Sequence, residues 1–126
     1  MSSKEFAFEL LPDATPNEHI YRLSGPLVLN NMFAFQAAMR SEAVTTILDM
    51  TGVPYIDSAG LGVLTNSYVA HQKQGRRLLF VAVSERVLEL FKLTCLDKLF
   101  EVFHSVDAAR EALKDSSPST PQTPSS

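Results

Sequence analysis

The chain has 126 residues, 45% hydrophobic and 20% charged, with a formal net charge of −3, the balance of one ordinary globular domain that buries roughly two-thirds of its unfolded-chain surface. Arg76-Arg77 is the only adjacent basic pair, which argues against direct nucleic-acid binding, since that needs clustered Lys and Arg. No apolar run approaches the roughly 20 residues of a membrane-spanning helix, residues 1–6 lack a signal-like apolar core, and the lone Cys95 supports no intramolecular disulfide, so a cytoplasmic protein without membrane insertion is expected.

Residues 6–11 form a short apolar run ended by Pro12 and read as a strand. Residues 13–18 hold Pro16 and Asn17 and read as a turn. His19-Ile20-Tyr21-Arg22-Leu23 then alternates as a half-buried strand does, predicting an antiparallel pair with the first. After the break at Ser24-Gly25-Pro26, a helix is predicted with its cap at Asn30 or Asn31 and its end near Arg40-Ser41. Met32, Phe35 and Met39 would share its inner face.

Residues 44–50 read as a buried strand, with Thr51-Gly52 and Pro54 as its exit turn. From Ser58 the pattern becomes helical up to Gln74, where Gly75 supplies a stop. At 3.6 residues per turn, Leu61, Leu64 and Tyr68 share a face, flanked by Val63, Ser67 and Ala70. Gly62, Thr65, Asn66 and Val69 fall on the opposite side. Residues 76–83 contain the strongest strand. Ser84 is expected to cap a short helix with Val87, Leu88 and Phe91 inward, residues 99–103 form a last strand, and Ser105 caps a helix through Leu113.

A hairpin followed by βαβ units predicts a mixed α/β sheet of four or five strands, with helices mainly on one face. Residues 1–114 would form this domain. Residues 115–126 are rich in Ser, Thr and Pro and have no bulky apolar side chain, so a disordered, solvated tail is expected.

The chemistry concentrates at Asp57-Ser58, just before a helix that opens Ala59-Gly60-Leu61-Gly62. One reading makes Asp57 or Ser58 a helix cap, worth about 1 kcal/mol. Another makes Ser58 a modification site, because a helix N-terminus accommodates the roughly −1.5 to −2 charge of a phosphate. On that reading Gly60 and Gly62 leave backbone exposed and give a kinase room to approach. The added charge beside Asp57 would then repel a docked partner, changing binding more than fold.

Leu48-Asp49-Met50, Ile56-Asp57-Ser58-Ala59-Gly60-Leu61-Gly62-Val63-Leu64 and Gln74-Gly75, followed by Val87-Leu88-Glu89-Leu90-Phe91-Lys92-Leu93, Leu96-Asp97-Lys98-Leu99-Phe100 and Ser105-Val106-Asp107-Ala108-Ala109, resemble the STAS domain of the anti-sigma-factor antagonist family. The resemblance runs over residues 6–113. It implies a non-enzymatic regulator that, when unphosphorylated, binds an anti-sigma-factor serine/threonine kinase and releases sigma factor. Phosphorylation ends the interaction, and a metal-dependent serine phosphatase restores it. Ser58 occupies the family's phosphoacceptor position, with Asp57, Gly60, Gly62 and Asn66 expected in the partner-binding surface. Ser58 can be acceptor and cap together. The chain departs from the family pattern at Ala59, where many members have a second serine, and at Cys95, where relatives often have glycine. Residues 29–33 match it least well. The alternative is a STAS scaffold or adaptor of a stress-signalling complex or membrane transporter, without Ser58-dependent switching.

Other chemistries fit less well. Gly60-Leu61-Gly62 lacks the third glycine of a dinucleotide loop and the Gly-Lys-Ser/Thr of a P-loop. A hydrolase elbow needs glycine where Ile56 stands, and His71 follows Ser58 by more than three helical turns, too far for a base. His71 is expected at the helix margin. His19 and His104 lack zinc-ligand spacing, and turn or cap duties explain Asp49 and Asp57 more simply than a metal pair. No cofactor and no metal are expected.

Overall fold

The computed structural model describes residues 6–11, 18–28, 33–40 and 43–115. The strands are β1 (Ala7–Leu10), β2 (Glu18–Ser24), β3 (Thr45–Gly52), β4 (Arg77–Val81) and β5 (Glu101–Phe103); the helices are α1 (Phe33–Ala38), α2 (Ser58–Lys73), α3 (Glu85–Leu93) and α4 (Val106–Asp115). The strands lie side by side in chain order, β1 antiparallel to β2 and every later pair parallel. This is the mixed α/β sheet expected from the sequence, with five strands. The Asn30, Asn31 and Met32 assignments, the turn at Pro16 and Asn17, and residues 116–126 lie outside the described residues.

Alternation along the strands sorts side chains onto two faces. Tyr21, Leu23, Leu48, Met50, Leu78 and Phe80 join Phe35 of α1, Val63, Leu64 and Tyr68 of α2, and Val87 and Phe91 of α3 in the larger core. Ile20, Ile47, Leu79 and Val81 face the other way and pack with Ala109 of α4. The parallel strands β3 and β4 are thus covered on both faces, which is why Leu78-Leu79-Phe80-Val81 of β4 reads as an unbroken apolar run. Phe100 closes the larger core: its ring stacks on Phe80 at 4.6 Å between centroids and meets Phe91 edge-on at 5.1 Å. On the α4 side, Arg110 bonds Glu18 of β2 at 3.0 Å.

Several boundaries moved for local reasons. β3 runs on through Thr51 and Gly52, where an exit turn was expected, because Gly52 pairs with Ser24 and accepts the Gly25 N–H at 2.8 Å. β4 stops at Val81, two residues short, since Ala82 turns to φ 56° and donates its N–H to Phe103 O at 3.0 Å. The strand expected from residue 99 begins at Glu101, because Leu96–Lys98 forms a 3-10 turn whose Leu96 carbonyl accepts the N–H groups of Leu99 and Phe100.

Candidate functional site

The site is built where β3 leaves the sheet and α2 begins. Val53 and Ile56 are buried, while Pro54 and Tyr55 stay at the surface. Asp57 takes an extended conformation, φ −101° and ψ −175°, and its Oδ1 accepts the Gly60 N–H at 2.8 Å. Its carbonyl accepts the Leu61 N–H at 2.9 Å. Asp57 is therefore the N-cap of α2, and Ser58, the first helical residue, is exposed. The two cap candidates read from the sequence are resolved in favour of Asp57.

Gly62 and Asn66 stand one and two turns beyond Ser58. Asn66 is exposed, Gly62 is half-buried, and a methyl group at Gly62 would meet nothing within 4 Å. Gly60 differs. It is buried, and a methyl there would overlap the Leu27 carbonyl oxygen, so the exposed backbone expected at Gly60 is not found. Its missing side chain serves a close contact inside the fold.

Beside the loop, Tyr55, Ile56, Val87, Leu90 and Leu93, with Arg86 and Glu89 at the rim, line a groove of about 340 Å³. The Arg86 guanidinium sits 5.2 Å from the Tyr55 ring centroid, within cation–π range. Leu93 is 75% exposed.

The sequence model of the STAS domain matches residues 11–109. The chain belongs to the STAS-domain family. Among curated relatives, an anti-sigma-B factor antagonist of Listeria monocytogenes is 29% identical over 69 residues, covering 55% of this chain and 60% of the relative. The chain thus spans less than two-thirds of that relative's length. Among solved structures, an anti-sigma factor antagonist from Mycobacterium paratuberculosis superposes with a TM-score of 0.76 at 20% identity, covering 90% of this chain and 98% of the other. The phosphorylated form of the Bacillus cell fate determinant SpoIIAA gives 0.68 at 18% identity, covering 85% and 99%. Both structural likenesses lie in the fold.

In this STAS domain the other sequence-derived candidates take ordinary duties. Asp49 accepts the N–H and hydroxyl of Thr51 at 3.0 and 2.6 Å, so it braces the last residues of β3, not the turn expected there, while Asp57 serves a cap. His71, expected at the helix margin, is buried, with 3% of its surface exposed. Its Nδ1 donates to Ser67 O at 2.7 Å, and its buried Nε2 has no hydrogen-bond partner among the described residues. Burial lowers its pKa, the Ser67 carbonyl raises it, and the charge of Arg76 adds to the lowering. It was misplaced because a polar residue in a helix defaults to the surface; its position three residues after Tyr68 was the available signal. The groove was missed as well, since its walls come from two segments about thirty residues apart.

Proposed function

We propose that this STAS domain is a phosphorylation-switched anti-sigma-factor antagonist whose acceptor is Ser58. Unmodified, it docks on an anti-sigma-factor serine/threonine kinase and frees the sigma factor. The kinase then transfers the γ-phosphoryl group of ATP to Ser58 Oγ, ADP departs, and the complex separates. A metal-dependent phosphatase hydrolyses the phosphoserine and resets the protein. The cycle runs in the cytoplasm.

The observation that carries this reading is the division of labour at the helix start. Asp57 satisfies the Gly60 amide, so the exposed Ser58 hydroxyl has no capping duty to give up when modified. Apart from the Asp57 cap, the first turn of α2 holds no acidic side chain, so a phosphate there meets the favourable end of the helix dipole, worth about 0.3–1 kcal/mol before the repulsion of the Asp57 carboxylate is set against it. The domain stays folded while its partner faces a new charge of about −1.5 to −2. Asp57, Gly62 and Asn66 border the contact, and the Tyr55–Leu93 groove beside Ser58 offers its apolar part. Gly60 contributes from inside by setting the first turn of α2. The domain itself performs no catalysis on this reading; Ser58 is the substrate of the kinase.

Incubation with ATP and its cognate anti-sigma-factor kinase is expected to add one phosphate, absent in Ser58→Ala. A phosphate that persists in Ser58→Ala overturns the assignment.

A further inference from the structure

Residues 25–28 follow β2 without joining the sheet, yet they are fastened to the loop that presents Ser58. Leu27 donates its N–H to Tyr55 O at 3.2 Å and accepts the Asp57 N–H on its own carbonyl at 3.2 Å. It pairs with Ile56 as an isolated parallel bridge, and its side chain is fully buried. Upstream, Gly25 takes φ 82° and donates to Gly52 O at 2.8 Å. The Leu27 carbonyl also lies close against Gly60, where an added methyl would overlap its oxygen and come within 3.1 Å of Leu27 Cγ.

Ser58 lies between Asp57 and Gly60, the two residues that hold this carbonyl. We infer that Leu27 is a positioning residue for the Ser58 switch, its carbonyl locking the backbone on both sides of the acceptor so that the hydroxyl is offered in one pose. The inference rests on the proposed role of Ser58. A kinase that reads a folded surface cannot thread its substrate as it would a flexible peptide, so the acceptor's geometry must be set by the substrate itself. Preorganisation of this kind lowers the ordering cost of docking, and misplacement by about 1 Å can cost 10²-fold in rate. Leu27 therefore acts on phosphoryl transfer through the Asp57 amide and Gly60, without touching the acceptor.

Two variants loosen the strap: Gly60→Ala pushes the Leu27 carbonyl away, and Gly25→Ala strains the entry to it at positive φ. Ile47→Val, in the core on the opposite face of the sheet, serves as a control that lowers stability without touching the strap. Phosphorylation kinetics and amide hydrogen exchange are measured on all four proteins. Expected is a fall in kcat/KM of about tenfold or more for each strap variant that folds, with faster exchange at the Asp57 amide, while Ile47→Val stays within about twofold of wild type. Equal losses in strap and control variants, or unchanged kcat/KM in a folded Gly25→Ala protein with a loosened Asp57 amide, overturn the positioning role and leave the switch standing. Absence of phosphate on wild-type Ser58 overturns the switch, and the inference with it.

Discussion

The Asp57 carboxylate accepts the Gly60 amide at 2.8 Å while the neighbouring Ser58 is exposed, so Asp57 carries the cap and Ser58 stays clear for the proposed modification. Asp57→Ala is expected to cost about 1 kcal/mol, the usual loss for a removed cap. Ser58→Ala stays within about 0.5 kcal/mol of wild type, as an exposed site without such a duty does. Urea denaturation of the two variants checks the contrast. Equal losses would return the cap to Ser58.

Gly62 separates stability from binding. A methyl there meets open space, and alanine is favoured over glycine inside a helix by roughly 0.5–1 kcal/mol. Gly62→Ala should raise the unfolding midpoint. If the kinase packs against this stretch of α2, the methyl overpacks the contact by roughly 1–3 kcal/mol, lowering affinity about five- to 150-fold. Calorimetric titration with the kinase reads the second effect. Unchanged affinity removes Gly62 from the partner surface.

His71 makes stability depend on pH. Burial holds its folded pKa below the ordinary value, so at mildly acidic pH the unfolded chain takes up a proton that the folded protein resists. The stability associated with neutral His71 is fully present above the unfolded pKa of about 6.5 and is lost as pH falls from there through the folded pKa. Urea midpoints at about pH 7.5 and pH 5.5 should show the lower stability at the acid end. His71→Leu is expected to remove most of that difference.

Cys95 is exposed and sits at φ 64°, ψ 14° directly beyond the end of α3, where glycine is the preferred residue. A side chain in this left-handed region costs about 1–2 kcal/mol, and glycine returns roughly 0.4–1 kcal/mol of that through its freer unfolded chain. Cys95→Gly is therefore expected to stabilise the domain by about 0.5–1 kcal/mol. Thermal denaturation should show a rise of a few degrees.

Strands and helices were legible where burial imposed a simple period. The unbroken run at Leu78-Leu79-Phe80-Val81 and the spacing of Val87 and Phe91 led directly to β4 and α3. Side-chain capping was legible too, since Ser84 and Ser105 accept the N–H groups of Val87 and Ala108. What escaped was long-range. The meaning of Gly60 depends on Leu27, 33 positions earlier, and no local pattern connects them. The extension of β3 through Gly52 likewise depends on Ser24 and Gly25 across the sheet, and Ala82 leaves β4 through a bond to Phe103.

Cover for the second face of the sheet comes late. Ile20, Ile47, Leu79 and Val81 pack with Ala109 of α4, and α4 follows every strand in the chain. During synthesis, at about 5–20 residues per second, the strands and the three helices of the larger core emerge first, and that apolar face waits uncovered for α4. The growing chain thus passes through a stage in which the Ser58 surface can already form while the opposite side is still adhesive, a window in which a chaperone or a premature stop would decide its fate.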